Sequence, residues 1–393
     1  MKIAILTSGI LPVPAVNGGA VENHIDFYLK YNNEHQLHDI TVFSIADEKI
    51  NDHPALQSKV NHYKYIEVKS RWAKIKKHIY HKIMGEKYYH YTIEYFFLKA
   101  WRHLKKKHYD IILLENRPGY ALRMKVPTGT KLYIYLHNDL LNSHTKGYQQ
   151  IYEAASRIIT VSNYIANCVR TINPNDNKCF PVLNGIDISA FSPNIQSKIS
   201  RKELGFSNKD FIMVFSGRVS PEKGVKELIE AILKLNDYPD IKLLIIGSPF
   251  FEEARNGKEY LNEVQELAST VNDRIHFTGF IPYSEMPNYL KISDIAVIPS
   301  LWDDPCPNTV LEAQAMGLPI ITTRRGGIPE EVTEDGAILL STNDKFVDNL
   351  TNSILYLYNN PNKKMKMGKA CYEHSKYYNS LRYAEDFFKA FDI

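Results

Sequence analysis

The sequence predicts an α/β protein with two doubly wound, Rossmann-like domains, each built on a parallel sheet. Short runs rich in β-branched residues alternate with longer amphipathic segments through both halves of the chain, which is typical of βαβ units. The chain has 393 residues, enough for two ordinary domains. Its 44% hydrophobic and 23% charged residues are typical of a globular protein.

The strand candidates occur at regular intervals along the chain. In the first half the predicted strands are Lys2–Ser8, Asp39–Ala46, Asp110–Asn116, Lys131–His137, Arg157–Ser162 and Cys179–Leu183. In the second half they are Phe211–Gly217, Lys242–Gly247, Arg274–Thr278, Ile295–Ser300, Pro319–Thr323 and Ala337–Leu340.

The domain boundary is predicted where turn residues accumulate. Asn184-Gly185-Ile186-Asp187 is typical of a turn, and Ile195–Gly205 has the polar character of a helical linker. We therefore assign residues 1–190 to an N-terminal domain and residues 191–376 to a C-terminal domain. Residues 377–393 carry aromatic side chains at helical spacing and are predicted to form a helix that crosses back to the first domain. In such folds the ligand lies at the carboxyl ends of the strands, here in the cleft between the domains.

Composition excludes several classes of protein. No apolar run is long enough to span a membrane, and Met1–Leu6 resembles a strand rather than a signal peptide, so we expect a cytoplasmic protein. The cysteines show no C-x-x-C pair, which argues against a zinc site or a disulfide framework. A formal charge of +4 is too small to indicate nucleic acid binding.

Gly18-Gly19 follows the first predicted strand and precedes a helix that begins near Val21. Glycines at this point let the backbone approach a ligand, and the first helical amides attract an anion. The pair does not form the G-x-G-x-x-G dinucleotide fingerprint, so a nicotinamide cofactor is not expected. The alternative is a turn without a ligand.

Arg218 and Lys223 lie on one short connection between a predicted strand and the following helix, just after Gly217. Guanidinium and ammonium groups placed in this way can neutralise a diphosphate. The alternative is that both cations are simply solvated.

The segment from Asp304 to Glu312 carries two acids around the predicted start of a helix at Asn308. Pro305 and Pro307 keep the helix from beginning earlier. The carboxylate of Glu312 can accept hydrogen bonds from ribose hydroxyls, and Asp304 can reach a polar group on the other side of a phosphate. The alternative treats Asp304 as a helix-start acid and Glu312 as a surface acid.

His137 ends the predicted strand Lys131–His137. A histidine at the carboxyl end of a strand can donate to a sugar hydroxyl or polarise a reacting group.

These motifs, together with Thr160-Val161-Ser162, Asn184-Gly185-Ile186-Asp187 and Gly326-Gly327-Ile328-Pro329-Glu330, occur in the order found in a known family. The chain resembles the retaining glycosyltransferases of GT-B fold, family four, over nearly its whole length. This family uses nucleoside diphosphate sugars as donors. The resemblance implies an acceptor-side first domain and a second domain that binds the nucleotide sugar.

The resemblance also implies roles at matching positions. Arg218 and Lys223 would hold the donor diphosphate, Glu312 the ribose and Asp304 the transferred sugar. The amides of Asn308, Thr309 and Val310 would hold phosphate oxygens, and Phe280-Ile281 would line the base. The family often has a histidine at the position of His137.

The chain departs from the family at Asp304, because the first acid of the motif is usually glutamate. Aspartate is one methylene shorter, and its neighbour Asp303 is a second candidate for the same contact. The pair Asp303-Asp304 also suggests a metal site, but no third ligand is evident. We therefore expect neither a metal nor any other cofactor.

A basic, apolar segment in the first domain predicts an amphipathic helix. Trp72, Ile75 and Ile79 recur at helical spacing within Lys69–Lys82, interleaved with lysines, and Ile83 continues the row. Further cations follow up to Lys107. Such a helix can lie on an anionic membrane surface, which predicts peripheral contact through Lys69–Lys107 at the inner face of the membrane. The alternative is that the apolar stripe packs against the first domain.

The predicted reaction is sugar transfer from a nucleoside diphosphate sugar, UDP- or GDP-linked, to an acceptor hydroxyl with retained anomeric configuration. The acceptor would be a glycan, a lipid-linked saccharide or a protein, in bacterial surface glycan biosynthesis. Two other classes stay open. One is a non-catalytic subunit that binds nucleotide sugar, and the other is a hydrolysing nucleotide-sugar epimerase.

Overall fold

The computed structural model describes residues 1–85, 88–249, 255–271 and 273–391, and it forms two compact units. The first unit comprises Met1–Asn184 and Ser380–Ile393, and the second comprises Gly185–Asn379. Residues 392 and 393 of the predicted C-terminal segment lie outside the described residues, as do Glu86 and Lys87 of the basic segment.

The first unit contains a seven-stranded parallel sheet in the order β3-β2-β1-β4-β5-β6-β7. Its strands are β1 (Lys2–Leu6), β2 (Asp39–Ile45), β3 (Asn61–Ile66), β4 (Ile111–Glu115), β5 (Lys131–Leu136), β6 (Arg157–Thr160) and β7 (Cys179–Pro181). The helices between the strands are α1 (Ala20–His35), α2 (Arg71–Met84), α3 (Tyr91–Leu104), α4 (Tyr148–Ala154) and α5 (Asn163–Arg170).

The second unit contains a six-stranded parallel sheet in the order β10-β9-β8-β11-β12-β13. Its strands are β8 (Phe211–Ser216), β9 (Ile241–Ile246), β10 (Ile275–Gly279), β11 (Ile295–Ile298), β12 (Ile320–Thr323) and β13 (Ala337–Leu340). Its helices are α6 (Val225–Leu233), α7 (Arg255–Ala268), α8 (Met286–Lys291), α9 (Asn308–Ala315), α10 (Ile328–Glu331), α11 (Phe346–Asn359) and α12 (Pro361–Ser375). The last helix of the chain, α13 (Ser380–Lys389), belongs to the first unit.

The central strands of both sheets are buried on both faces. Every residue of Ile3–Leu6 is fully buried, as are Leu243–Ile245 of β9. Continuous apolar runs of this kind are expected where helices cover both sides of a parallel sheet. The predicted fold class, two doubly wound parallel-sheet domains, is therefore confirmed.

The predicted strands are all present, but the sequence missed β3. This strand pairs in parallel with β2 at the edge of the first sheet, and its sequence Asn-His-Tyr-Lys-Tyr-Ile is largely polar. An edge strand is only partly covered, so it does not need the apolar run that identified the others. Strand β7 is shorter than predicted and ends at Pro181, although the amide of Val182 still donates to the carbonyl of Thr160 on β6 at 2.7 Å.

The helical linker predicted over Ile195–Gly205 is wrong, because only a 3₁₀ turn at Lys202–Leu204 is present. The Ser197 hydroxyl donates to the carbonyl of Asn288 at 3.0 Å, and the amide of Lys198 donates to the Asn288 side chain at 3.0 Å. The amide of Lys198, which is paired with a side chain in this way, is not available for a hydrogen bond within a helix.

Of the helices in the described ranges, none combines the length and the apolar composition needed to cross a bilayer.

The C-terminal helix α13 packs on α1 through aromatic side chains. The rings of Tyr28 and Phe387 stack with their centroids 3.9 Å apart, and Phe387 is fully buried. The hydroxyl of Tyr383 lies 3.2 Å from that of Tyr135 on β5. Because these contacts join the two ends of the sequence, α13 is part of the core of the first unit.

We expect Phe387→Ala to lower the free energy of unfolding of the first unit by about 3–5 kcal/mol, since it leaves a cavity under α1. Urea unfolding followed by far-UV circular dichroism measures the change. Leu381→Ala is the matched control, because Leu381 lies on the same helix with 54% of its surface exposed. The packing would be refuted by equal stabilities of the two variants.

Candidate active site

Lys223 and Asp304 meet in the second unit, although their motifs are far apart in the sequence. Lys223 ends a 3₁₀ turn, Pro221–Lys223, between β8 and α6. Its ammonium group contacts the carboxylate of Asp304 and lies 5.4 Å from the centroid of the Trp302 ring. Both side chains are mostly buried, with 17% and 7% exposed. The solvated interpretation of Lys223 is therefore wrong.

The loop that carries Asp304 is held by the Gly326-Gly327 turn. The amide of Gly327 donates to the carbonyl of Asp304 at 2.8 Å. Gly326 has a φ of 55°, and a methyl group added there would collide with the Asp304 carbonyl oxygen, so the close approach requires glycine. Asp303 turns to the other side, where its carboxylate lies 3.5 Å from Arg325. Of the two neighbouring acids, Asp304 is therefore the one that faces Lys223.

Glu312 is buried in α9, with 5% of its surface exposed, so the interpretation as a surface acid is wrong. Burial raises its pKa to about 7, because the charged carboxylate is removed from water. Burial also raises the pKa of Tyr283 well above its ordinary value, with the nearby charges of Glu312 and Asp187 adding to the effect. Glu312 is thus a carboxyl group whose ionisation changes near neutral pH.

The start of α9 at Asn308 is as predicted, with Pro307 immediately before it. The amide of Val310 donates to the carbonyl of Pro307 at 2.9 Å. This turn hydrogen bond competes with a phosphate contact at Val310. Asn308 and Thr309 are both half-buried at the same helix end.

The remaining predicted residues of the second unit follow the carboxyl ends of β8 and β10, at the same edge of the sheet. Gly217 directly follows β8, and the guanidinium of Arg218 lies 3.5 Å from Glu222 with 41% of the side chain exposed. Ile281 follows β10, which is two strands from β8, and the neighbouring Phe280 is 70% exposed.

In the first unit His137 is held by an acid that the sequence analysis missed. Its Nε2 lies 3.0 Å from Oε2 of Glu115, the last residue of β4, and both side chains are buried. The other oxygen of Glu115 accepts a hydrogen bond of 2.7 Å from the hydroxyl of Tyr28. The backbone amide of His137 donates to the side chain of Asn116 at 3.1 Å. The ring of His137 is therefore fixed in orientation. The available signal was a glutamate at the end of the otherwise apolar run Ile111–Glu115.

Gly19 joins this group through Glu22, and Gly18 precedes it in a turn in which its amide donates to the carbonyl of Ala15 at 2.9 Å. Gly19 precedes α1 with a φ of 108°, and a methyl group there would collide with the Glu22 carboxylate. Ser8 Oγ lies 3.5 Å from that carboxylate. Burial, with a smaller contribution from the charge of Glu115, raises the pKa of Glu22 to about 7. The structure thus brings together Gly19, Glu22, Glu115 and His137.

Within the described ranges no three His, Cys, Asp or Glu side chains are grouped closely enough to hold a metal ion. The Lys223–Asp304 contact instead places a cation against the acid for which a metal was considered. That the protein needs no metal stays a prediction.

Comparison with known proteins decides the family. Residues 196–374 match the model of the glycosyl transferases group 1 family. The putative glycosyltransferase YtcC of Bacillus subtilis is 30% identical over 347 residues, which cover 85% of this chain and 78% of YtcC. The chain belongs to the group 1 glycosyltransferases. Spore coat protein SA of Bacillus subtilis is 28% identical to this glycosyltransferase, over 85% of the chain and 84% of the relative.

Solved structures agree on the fold of this glycosyltransferase. Anabaena HepE, crystallised with UDP and glucose, superposes with a TM-score of 0.74 at 18% identity, covering 100% of this chain and 99% of that one. The two parallel-sheet units are therefore those of the GT-B fold.

The raised pKa of Glu22 makes the stability of the glycosyltransferase depend on pH. In the unfolded chain a glutamate ionises near 4.5, whereas in the fold Glu22 stays protonated up to about 7. Between these values the folded chain retains a proton that the unfolded chain has lost, so the contribution of Glu22 to stability is greatest below about pH 4.5 and falls as the pH rises to about 7. The fall contributed by Glu22 is at most about 3 kcal/mol.

We expect Glu22→Gln to reduce the fall in stability between pH 5 and 7. Urea unfolding at each pH measures it, and Glu34→Gln, at an exposed position of the same helix, should follow the wild type. If the free energy of unfolding changed with pH in the same way in the wild type and in Glu22→Gln, the raised pKa would not belong to Glu22.

Proposed function

We propose that the protein transfers a sugar from a nucleoside diphosphate sugar to an acceptor hydroxyl with retention of anomeric configuration. The observation that carries the proposal is the grouping of Lys223 and Asp304 beside the start of α9, the helix that contains buried Glu312. A cation, a helix amino end and a buried acid are the groups needed to hold a diphosphate and a ribose. Membership of the glycosyltransferase family supports the same use.

In this proposal the second unit holds the donor. Lys223 and Arg218 neutralise the departing diphosphate, and the amides at Asn308 and Thr309 contact phosphate oxygens. The amide of Val310 joins them if it gives up its hydrogen bond to the carbonyl of Pro307. Glu312 accepts hydrogen bonds from the ribose. Asp304 contacts the transferred sugar and, before the donor binds, keeps the Lys223 ammonium paired.

The first unit supplies further contacts to the reacting sugar and to the donor phosphate. His137, oriented by Glu115, donates to a hydroxyl of the reacting sugar. The Gly18-Gly19 turn allows close approach of the backbone to the donor phosphate. Glu115 orients His137, and Glu22 packs against Gly19. In this proposal neither carboxyl touches the substrate.

Retention requires either a covalent enzyme intermediate or a transfer on one face of the sugar. Asp304 is engaged by Lys223, which makes it a poor covalent nucleophile. We therefore propose a same-face transfer. The bond from the anomeric carbon to the phosphate oxygen breaks, the acceptor oxygen attacks from the same side, and its proton passes to an oxygen of the leaving diphosphate.

The donor is proposed to be a UDP- or GDP-sugar. HepE was crystallised with UDP and glucose, which supports the uridine nucleotide. We place the reaction in bacterial surface glycan synthesis in the cytoplasm, and the name of spore coat protein SA, a relative over most of the chain, is consistent with a role at a cell surface.

The test is a thermal-shift screen with UDP-, GDP-, ADP- and dTDP-sugars, followed by transfer assays with the donor that stabilises the protein most.

We expect Lys223→Ala to lower kcat/KM roughly 100- to 1,000-fold, because it removes charge stabilisation from the leaving diphosphate. Lys226→Ala is the matched control, since Lys226 lies nearby on α6 and pairs with Glu263 at 2.6 Å. Nuclear magnetic resonance of the product reads its anomeric configuration. Normal transfer by Lys223→Ala, or an inverted product, would overturn the proposal.

The pKa of Glu312 predicts how donor binding depends on pH. Ribose hydroxyls donate to the ionised carboxylate, and in the free protein this form predominates only above about pH 7. The Kd of the nucleotide sugar should rise by up to about tenfold per unit as the pH falls below 7. Isothermal titration calorimetry measures this change. Glu312→Gln should bind more weakly at pH 8 with no such slope, and Glu334→Gln, at an exposed position, should keep it. A pH-independent Kd in the wild type would remove Glu312 from the ribose site.

A further inference from the structure

Helix α2 presents an apolar stripe to solvent. Trp72, Ile75, Ile79 and Ile83 are respectively 73%, 50%, 50% and 74% exposed. At about 100° per residue their side chains fall within an arc of about 80° on one side of the helix. The interpretation in which this stripe packs against the first domain is therefore wrong. Scattered exposed apolar residues are ordinary, but a continuous row of large ones on a single helix indicates a contact surface.

The helix does not need this stripe in order to fold. It is held by a different face, on which Ala73 and Tyr80 are buried and the ring of Tyr80 packs edge-on to Tyr95 of α3 at 6.4 Å. The hydroxyl of Ser70 caps its start by accepting from the amide of Ala73 at 3.1 Å. Gly85, with a φ of 64°, ends it. The outward row is thus available to a partner without unfolding α2.

The stripe is bordered by cations on both sides. Lys76 lies along one border, and Arg71 and Lys82 lie along the other. All three are exposed, and the sequence Arg71–Met84 contains no acidic residue. Lys99 and Arg102 on the adjoining helix α3 extend the positive surface. Burial, together with the charges of Arg102 and Lys76, lowers the pKa of Lys99, which shows that these cations repel one another. An anionic partner would relieve that repulsion.

We propose that α2 docks the protein on an anionic lipid surface, with Trp72, Ile75, Ile79 and Ile83 inserted at the acyl boundary and the flanking cations at the lipid phosphates. A bilayer surface offers both parts of this pattern in one plane, since apolar chains lie directly beneath anionic headgroups. A nucleic acid would use the cations and leave the apolar row in water. The inference concerns the first unit alone and does not depend on sugar transfer.

The experiment is cosedimentation of the full chain with vesicles of phosphatidylglycerol and phosphatidylcholine, against vesicles of phosphatidylcholine alone. We expect binding to the anionic vesicles, with an apparent affinity that falls on the order of a hundredfold in Arg71→Gln/Lys76→Gln/Lys82→Gln. Ile75→Gln/Ile79→Gln should bind at least tenfold more weakly than the wild type. These positions are exposed, so thermal unfolding should be unchanged in both variants.

Two matched controls separate α2 from general effects of charge and hydrophobicity. Lys363→Gln/Lys366→Gln/Lys369→Gln removes equal charge from exposed positions of α12 and should bind vesicles like the wild type. Met365→Gln/Leu381→Gln removes apolar side chains that are 67% and 54% exposed, and it should also bind normally. In addition, anionic vesicles should shift the tryptophan emission of the wild type to shorter wavelength, and this shift should be absent in Trp72→Phe.

Three results would overturn the inference: no sedimentation with anionic vesicles, equal losses in the α2 and α12 variants, or self-association in solution that Ile75→Gln/Ile79→Gln abolishes. The last result would show that the stripe binds a second copy of the chain instead of a lipid surface. Donor binding by the α2 variants, read by thermal shift, should equal that of the wild type. Failure of the lipid experiment is therefore distinguishable from failure of the proposed transfer.

Discussion

In each unit the parallel pairing of the strands brings the carboxyl ends of neighbouring strands to one edge of the sheet. The proposed site residues all follow such ends. Lys223 comes after β8, Asp304 after β11, and His137 after β5. Because β8 and β11 are neighbours in the second sheet, the connections that follow them meet, and an ion pair forms between residues of separate motifs. The chemistry of each unit depends on this common direction of its strands.

Buried acids are the second shared feature of the two units. Glu22 and Glu312 both have pKa values raised to about 7 by burial, and the pKa of Glu331 is raised well above its ordinary range for the same reason. Glu331 accepts a hydrogen bond of 2.9 Å from the thiol of Cys306, in the loop that carries Asp304. Burying an ionisable group lowers the stability of the fold. The presence of buried carboxyls near the strand ends is therefore better explained by a function in the site than by a contribution to stability.

The sequence predicted the fold well but the site only in part. Apolar runs such as Lys2–Leu6 identified their strands because a sheet covered on both faces requires them, whereas the polar edge strand Asn61–Ile66 carried no such signal. Glu115 was missed for a related reason. A single acid at the end of an apolar strand has no motif around it, and its role appears only when Tyr28 and His137 are seen on either side.

The sequence by itself determined the alternation of strands and helices apart from the edge strand β3, the proline-delimited start of α9 and the amphipathic spacing of α2. These features depend on residues a few positions apart, whose period and backbone preferences can be read locally. Only the tertiary structure decided that Asp304 rather than Asp303 faces Lys223, that Glu312 is buried, and that Trp72 and its row point to solvent. Each of these depends on groups distant in the chain, because burial and pairing are set by what packs against a side chain and not by its neighbours in sequence.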